Sequence, residues 1–304
     1  MWARENAADM WMSLQEPRST LEWTCLALAI CLSPVNWGLE ALKWQHLVRI
    51  FYPLGFRAAW QGVVAGIALS LFTPNRVGEY GGRILVVPAQ YNWRTVMATG
   101  VGNFAQLLAL VGAGFVAALI FAGQHLDLEP FVWRSALFVG TLLMLPALAV
   151  YFSVRRLLPA LGWFRRWKYT RKLWRQALVL RHYHTQLLAA TLGWSVLRLL
   201  VYSGQFWLLL WFFGAHLPLA VAAPSIGTVF FIQTSIPLPP VLGLFARGEV
   251  ALYVFGYSGA NELAVLAATL GLFVINLAVP ALLGAWVVVK TNVLKSLGYE
   301  KQND

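Results

Sequence analysis

Charged residues are scarce in this 304-residue chain. They make up 12% of the sequence, against about 25% in a typical soluble domain. Hydrophobic residues make up 59% and include 15 tryptophans. A chain with so little charge along its whole length lacks the polar surface of a soluble protein. The composition therefore predicts a polytopic membrane protein.

Acidic residues are the rarer of the two charged classes, with 12 against 23 lysines and arginines. The positive surplus does not indicate binding to nucleic acid, because nine of the 23 basic residues lie between Arg155 and Arg181, in a loop between apolar runs. Basic loops beside apolar runs are typical of the cytoplasmic side of membrane proteins. We therefore expect no nucleic-acid partner.

Known catalytic and metal-binding motifs are missing as well. The sequence contains no G-x-S-x-G, no H-E-x-x-H and no Walker A motif, so it predicts no hydrolase or ATPase site. The two cysteines, Cys25 and Cys31, are six residues apart in one apolar run. This spacing puts them on different faces of a helix and favours neither a disulfide nor a metal site. We expect no cofactor and no metal ion.

Five apolar runs are long enough to cross a bilayer, which takes about 20 residues. They lie at 21–42, 95–122, 131–153, 187–213 and 261–289. Together they predict an all-α fold with one transmembrane domain over 21–289, a polar segment over 1–20 and a tail over 290–304.

Two further apolar regions, 58–72 and 217–258, are interrupted by proline and glycine. Irregular backbone at membrane depth persists only where protein buries it or where it lines a wet cavity. Each region therefore predicts a re-entrant hairpin or a discontinuous helix. The interrupting residues are Pro74, Gly78, Gly81 and Gly82 in the first region, and Pro237, Pro239, Pro240, Gly243 and Gly248 in the second.

The distribution of charge predicts the topology. Segment 154–186, which joins the halves 21–153 and 187–289, is basic and is assigned to the cytoplasm together with the C-terminus. Residues 123–130 carry two acidic residues and no lysine or arginine and are assigned to the outside. The interrupted regions then enter from opposite sides of the membrane. This pattern predicts an inverted repeat, in which transport sites are commonly found.

Segment 154–186 also carries a tryptophan stripe. Trp163, Trp167, Trp174 and Leu178 are spaced so that they share one helical face. This pattern is typical of an amphipathic helix on an anionic leaflet. The alternative is that the segment serves only as a topological signal.

The first interrupted region carries a charged triplet. Arg76, Glu79 and Arg83 would stack on one face of a helix beginning after Pro74, with Thr73 as its cap. Glu79 would then lie between two guanidinium groups and leave a surplus positive charge that suits an anionic lipid headgroup. The alternative is a self-contained network that stabilises the loop.

Arg198 lies in the middle of an apolar run, with Tyr202 and Gln205 following on the same helical face. An arginine facing lipid is costly, so we expect it inside the bundle. It would pair there with Glu249 or Glu79, or it would contact a moving headgroup. Other polar residues in the spans predict hydrogen bonds between helices; they are Asn36, Glu40, Asn103, Gln106 and Asn276.

Three segments resemble the transmembrane region of the lysylphosphatidylglycerol synthase family. "TPNRVGEYGGR" resembles that family's TPGRxGE-type motif, with Asn75 in place of the usual Gly. "NWGLEALKW" resembles its first-half helix, with Asn36, Lys43 and Trp44 at the recurring positions. "IPLPPVLGLFARGEVALYVFG" resembles the second-half segment, with Arg247 and Gly248 matching and Glu249 as the nearest acid. We expect this chain to lack a further N-terminal helix that is common in the family.

The resemblance implies a flippase-like protein of the bacterial inner membrane. Its substrate would be an anionic or aminoacylated phospholipid, or a polyprenyl-linked lipid. The alternatives are a membrane transferase acting on a lipid phosphate, with Glu79 as its base, and a non-transporting partner of a separate lipid-modifying enzyme. The residues expected to meet the headgroup are Thr73, Asn75, Arg76, Glu79, Arg83, Arg198, Tyr202, Gln205, Arg247 and Glu249.

Overall fold

A computed structural model describes residues 18–74, 77–160, 174–236, 238–239 and 241–291. These residues form helices and connecting turns without a β-strand. The α-helices are α1 (Thr20–Val48), α2 (Phe56–Ser70), α3 (Gly78–Ile84), α4 (Asn92–His125), α5 (Pro130–Phe152), α6 (Val154–Ala160), α7 (Thr185–Phe212), α8 (Leu219–Thr234), α9 (Gly243–Gly256), α10 (Glu262–Phe273) and α11 (Val279–Lys290).

Five helical stretches are long and apolar enough to cross a membrane. They are α1, α4 with the short 3-10 turn before it, α5, α7, and the pair α10 and α11, which a π-helical segment at Val274–Ala278 joins. All five coincide with the apolar runs of the sequence, so the prediction of an all-α, multi-pass membrane protein is confirmed.

Helices α1 and α7, of 29 and 28 residues, pack against each other and run antiparallel. At one end Glu22 Oε1 lies 3.1 Å from Nε2 of His216, just beyond α7. At the other end the Tyr183 hydroxyl, just before α7, donates to the Leu47 carbonyl at 3.0 Å. An antiparallel central pair is what an inverted repeat requires.

After each central helix come two short helices and then a long helical stretch, which is α4 in the first half and α10 with α11 in the second. Helices α5 and α6 have no counterpart in the described part of the second half. The first short helix of each half packs against the long helix of the other half, α2 on α11 and α8 on α4. Both contacts depend on glycine, because a Cβ at Gly284 would overlap the Val64 backbone and one at Gly227 would overlap the Ala117 side chain. This exchange of contacts is the pattern expected for the inverted repeat.

The loops that follow the two central helices, α1 and α7, are each held by a side-chain hydrogen bond from that helix. The Gln45 side chain of α1 donates to the Leu54 carbonyl at 2.9 Å, between α1 and α2. The Trp207 indole of α7 donates to the Leu217 carbonyl at 3.1 Å, between α7 and α8. A side chain of each central helix thus satisfies a carbonyl of the loop that follows it.

Helices α2 and α3 form a tight antiparallel hairpin. Glycines stand where the two backbones touch, because a Cβ at Gly78 would overlap the Leu69 carbonyl and one at Gly82 would overlap the Gly66 backbone. Small residues four apart on both helices allow such an approach. The interrupted region 58–72 and its continuation are therefore two short helices, while entry into the membrane from one side stays a prediction.

One detail of this hairpin differs from the prediction. The α-helix begins at Gly78, four residues beyond Pro74, because the chain first makes a turn in which the Val77 amide donates to the Pro74 carbonyl at 3.3 Å. Thr73 still serves the helix start, since its hydroxyl accepts from the Gly78 amide at 2.9 Å. Four predicted residues, Asn75, Arg76, Pro237 and Pro240, lie outside the described residues.

The second interrupted region divides in the same way, into α8 and α9. The Gln233 side chain of α8 donates to the Arg247 carbonyl of α9 at 3.4 Å and ties the two together. Of the basic segment 154–186, residues 161–173 lie outside the described residues. The amphipathic helix predicted there, including Trp163 and Trp167, therefore stays a prediction.

The close packing of the α2–α3 hairpin predicts opposite effects on stability for alanine substitutions at two adjacent glycines. Gly82→Ala places a methyl group into the Gly66 backbone and should lower the free energy of unfolding by about 1–3 kcal/mol. Gly81→Ala is the matched control, because its Cβ would sit 3.4 Å from the Leu69 side chain, and a helical alanine is favoured over glycine. Thermal unfolding of the purified protein in detergent measures both. Equal melting temperatures for the two variants would contradict the close packing of α2 on α3.

Candidate functional site

The Glu40 carboxylate lies at the centre of a buried charge cluster. Lys43 Nζ lies 2.6 Å from Glu40 Oε2, and Arg198 Nη1 donates to the same oxygen at 2.8 Å. Arg83 Nη2 donates to the other oxygen, Oε1, at 2.6 Å. Glu40 is 3% exposed. Three cations from three helices therefore share one carboxylate.

The fold explains why these side chains meet. Glu40 and Lys43 are three residues apart on α1 and so share a face. Arg198 stands at the middle of the 28-residue α7, which faces α1 along most of its length. Arg83 lies in the last turn of α3, and the glycine contacts of the α2–α3 hairpin bring that turn against α1. The cluster lies where α1, α3 and α7 converge.

Helix α4 contributes an uncharged side chain, Gln106, to the cluster. The Gln106 Oε1 atom accepts from Lys43 Nζ and from Arg198 Nη1, both at 3.4 Å, and its Nε2 donates to the Ser195 carbonyl at 3.3 Å. Gly102, one turn earlier on α4, allows close packing against Leu47 and the Lys43 side chain. Gln106 therefore bridges the halves and helps to satisfy two of the three cations.

The cluster carries a positive surplus. Glu79 Oε2 lies 3.7 Å from Arg83 Nη2, so two carboxylates accompany three cations, which leaves one unit of positive charge on these five groups. Arg83 is 2% exposed, and its Nε and Nη1 atoms have no hydrogen-bond partner within the described part of the chain. Its guanidinium lies 5.3 Å from the Trp44 ring centroid. A buried donor without an acceptor is costly, so an acceptor group beside these two N–H groups would stabilise the cluster.

A chain of amide side chains leads away from the cluster. Arg198 Nε donates to Asn36 Oδ1 at 2.9 Å, and Asn36 Nδ2 donates to Asn276 Oδ1 at 2.8 Å. Asn276 Nδ2 donates in turn to Gln205 Oε1 at 3.2 Å, and Gln205 Nε2 donates to Ser33 Oγ at 2.9 Å. The polar path therefore continues from the charged cluster through neutral groups along α1 and α7.

The π-helical segment has a local cause. Pro280 has no amide hydrogen and cannot donate to the carbonyl four residues earlier, which belongs to Asn276. The helix widens there and presents the Asn276 side chain to the amide chain. Single-turn π segments occur frequently at functional sites.

Both central helices carry two polar residues at a spacing of seven. Ser33 and Glu40 are seven residues apart on α1, and Arg198 and Gln205 are seven residues apart on α7. The helices cross so that Glu40 pairs with Arg198 and Ser33 pairs with Gln205. One crossing is ionic and its counterpart is neutral, so the two halves share a geometry but differ in charge.

The structure corrects one predicted pairing. Arg198 faces the bundle interior as expected, but its carboxylate partner is Glu40 instead of Glu79 or Glu249, and Glu249 is exposed on α9. The predicted contact between Glu79 and Arg83 is present at 3.7 Å, although Arg83 makes its shorter contact with Glu40. The pairing of Arg198 was wrong because α1 supplies a carboxylate that lies far away in sequence.

The other predicted residues lie in three places. Gln205 belongs to the amide chain. Tyr202 and Arg247 line a separate pocket between α7, α8, α9 and α10. Thr73 only supports the start of α3. The structure therefore does not bring the predicted residues together in one site.

Glu40 and Lys43 were not among the predicted headgroup contacts. The sequence contains a signal for them, since two opposite charges three residues apart inside an apolar run are costly unless they face partners. Asn36, Gln106 and Asn276, predicted as interhelical hydrogen-bonding groups, do bond between helices. Within the described ranges, no group of three or more His, Cys, Asp or Glu side chains could hold a metal ion.

A family model of the lysylphosphatidylglycerol synthase TM region matches residues 6–284. The chain belongs to this family. No match was found among curated proteins or among solved structures. The matched range includes both halves of the bundle and every member of the Glu40 cluster. The protein is thus a multi-pass membrane protein of the lysylphosphatidylglycerol synthase TM region family.

The cluster predicts that substitutions of two glutamates, Glu40 and Glu249, change the stability of the protein to different extents. Glu40→Gln leaves Lys43, Arg83 and Arg198 around a neutral amide and should cost about 3–5 kcal/mol, as for other broken buried pairs. Glu249→Gln is the control, because that side chain is exposed, and its effect should stay within about 0.5 kcal/mol. Thermal unfolding in detergent measures both. Indistinguishable melting temperatures would show that the cluster does not stabilise the fold.

Proposed function

We propose that this protein moves a phosphate-bearing lipid headgroup across the bacterial inner membrane, through the Glu40 cluster. The observation that carries the proposal is the charge of the cluster, in which three buried cations share Glu40 and Arg83 keeps two buried donors without an acceptor in the described structure. Charged groups inside a membrane protein are costly and generally serve function.

A phosphate group has the chemistry that this cluster lacks. It carries negative charge and several acceptor oxygens, and a planar guanidinium binds two of them at once. Lipid phosphates are anionic or zwitterionic at the headgroup and apolar in the tails. The headgroup would therefore enter the cluster while the tails remain among the apolar side chains that α5 exposes, such as Phe138 and Leu143.

Glu40 would act as a resident counter-ion. In the structure it holds Arg83 on one oxygen and Arg198 with Lys43 on the other. An arriving phosphate would compete with Glu40 for these cations, and Glu40 would reclaim them when the headgroup leaves. Such an exchange keeps the cations paired throughout and avoids the penalty of an unpaired buried charge.

The position of the cluster supports passage through the membrane. Arg198 stands midway along the spanning helix α7, so a headgroup held there would be far from both surfaces. The antiparallel central helices give the bundle two similar faces, and a rocking of one half against the other would open each face in turn.

The proposal predicts the outcome of a reconstitution assay. Liposomes containing the protein should move fluorescent phosphatidylglycerol between leaflets, measured as the loss of protection from dithionite, faster than protein-free liposomes. Arg83→Gln should slow this exchange about tenfold or more, because a charged hydrogen-bonding group is lost. Arg83→Lys, which keeps the charge but not the bidentate geometry, should fall between the two.

The control is Arg134→Gln, which removes an exposed arginine of α5 outside the cluster; its rate should equal that of the wild type. No acceleration by the wild type with either phosphatidylglycerol or phosphatidylethanolamine would refute translocation of phospholipids. Unchanged product formation by Glu79→Gln, in membranes supplied with a lipid-phosphate substrate, would argue against the alternative of a transferase with Glu79 as its base.

We further propose that the basic segment 154–186 and the C-terminus face the cytoplasm. The excess of lysine and arginine in the segment and in the tail supports this orientation. The Lys290 ammonium lies 3.9 Å from the Trp286 ring centroid at the end of α11, an arrangement suited to a membrane interface. The loop between α4 and α5, which contains Asp127 and Glu129, would face outward.

Cysteine labelling tests this orientation. In a background with Cys25→Ser and Cys31→Ser, a membrane-impermeant maleimide should label Asp127→Cys in intact spheroplasts and Lys290→Cys only after permeabilisation. Both positions are exposed, so each serves as the control for the other. The reverse pattern would invert the proposed topology.

A further inference from the structure

We infer that a small inorganic anion, chloride, binds where α1, α3 and α4 meet, beside the Arg83 guanidinium. Four buried side chains of these helices have donor atoms without a hydrogen-bond partner within the described residues; they are Trp44, Arg83, Thr95 and Thr99. The inference deepens the proposed function, on which the role of the ion rests, because chloride would serve as a counter-ion of the Glu40 cluster. The ligand is an ion and not a lipid.

Arg83 supplies the charge of this site. Both of its carboxylate contacts use the same atom, since Glu40 Oε1 lies 2.6 Å and Glu79 Oε2 lies 3.7 Å from Nη2. The Nε and Nη1 atoms are buried and have no partner in the part of the chain that the structure describes. Either N–H group can therefore donate to an anion while both carboxylates keep their contacts.

Two threonines of α4 differ from the other buried threonines. Thr191, Thr228 and Thr269 each donate to the carbonyl four residues earlier in their own helix, at 2.8 Å. Thr95 and Thr99 are completely buried, and their hydroxyls make neither this bond nor any other within the described ranges. Because a threonine inside a helix commonly satisfies its hydroxyl through that carbonyl, these two keep a donor available for a ligand.

The neighbours of Thr99 show which helices it faces. A Cβ at Gly102 would lie 3.7 Å from Lys43 Cε, so that side of α4 faces α1. A Cβ at Gly100 would lie 4.0 Å from the Tyr80 hydroxyl, so that side faces α3. With 3.6 residues per turn, Thr99 falls between these two positions on the surface of α4. It therefore faces the junction of α1 and α3.

The remaining donors adjoin this junction. Thr95 precedes Thr99 by four residues and so lies one turn away on the same side of α4. The Trp44 ring of α1 packs on the Arg83 guanidinium, with the ring centroid 5.3 Å away. An indole N–H can only donate. Each of the three helices thus contributes at least one buried donor.

The charge of the cluster favours a monovalent anion. Lys43, Arg83 and Arg198 accompany Glu40 and Glu79, so one chloride would neutralise the surplus positive charge. An uncompensated charge inside a protein is costly. The donor atoms are themselves buried, so a small spherical ion suits the closed site, whereas a larger headgroup would require the helices to separate.

The inferred role of chloride is that of an exchangeable counter-ion. Chloride and a headgroup phosphate would compete for the same donors of Arg83. Departure of chloride as a headgroup arrives would keep the charge of the cluster balanced, so that neither step leaves a buried cation uncompensated. Chloride should therefore slow the movement of lipid that the Glu40 cluster supports.

Binding of radioactive chloride tests the site directly. The full-length protein in maltoside micelles would be exchanged into sodium gluconate and titrated with labelled chloride at constant ionic strength, with scintillation proximity as the readout. The wild type should show saturable binding that bromide displaces. Arg83→Gln and Thr99→Val should each weaken binding about tenfold or more, because each removes a hydrogen bond to a charged group.

Thr228→Val is the matched control. It removes a buried hydroxyl that bonds within its own helix, outside the cluster, and its chloride affinity should equal that of the wild type. Thr99→Val leaves every ion pair of the cluster intact, so it separates loss of the site from loss of the fold. In gluconate its melting temperature should equal or exceed that of the wild type, because an unpartnered hydroxyl is removed. In chloride the wild type should gain more stability than Thr99→Val.

Two results would overturn the inference. One is the absence of saturable chloride binding by the folded wild type. The other is an equal chloride affinity of the wild type and Thr99→Val.

The chloride site and the proposed function fail in distinguishable ways. The liposome assay would be run in chloride and in gluconate, and the wild type should move lipid faster in gluconate. Chloride binding that depends on Thr99, in a protein that moves no lipid in either medium, would support the site and refute translocation. Lipid exchange at one rate in both media, by a protein that binds no chloride, would refute the site and leave translocation through the Glu40 cluster intact.

Discussion

The shared carboxylate of Glu40 is the interaction on which the arrangement of this bundle depends. Its two oxygens hold cations from α1, α3 and α7, so a single side chain connects the central pair of helices to the first hairpin. Each of these cations would be costly in an apolar interior without its partner. The positions of the three helices relative to one another are therefore coupled to the charge of one residue.

The charge cluster in turn depends on glycine. Arg83 reaches Glu40 only because α3 lies against α2 at backbone distance, and α2 lies close to α1 and α11. A Cβ at Gly62 would come within 3.1 Å of the Trp44 ring. Between helices surrounded by lipid, close packing substitutes for the hydrophobic driving force that is absent there. Small residues and buried charges thus act together, since the former bring the backbones close enough for the latter to pair.

The two halves repeat a geometry without repeating its charge. The crossing of α1 and α7 is ionic at Glu40 and Arg198 and neutral at Ser33 and Gln205. If α1 and α7 were fully symmetric, they would present the same groups toward both faces of the membrane. The observed asymmetry places a carboxylate at one crossing of the central helices and neutral side chains at the other.

Composition and periodicity alone determined the fold class. A low content of charge and five apolar runs could specify only membrane-spanning helices, because backbone groups in lipid must bond within their own segment. The same reasoning located the interruptions at Pro74 and in the second half, and it placed Arg198 inside the bundle. The pairing of Arg198 with Glu40 was decided by tertiary structure, because the two residues are 158 positions apart and no local pattern measures the distance between α1 and α7. The start of α3 at Gly78 was likewise decided by packing, since the glycines of this helix fit only against the backbone of α2.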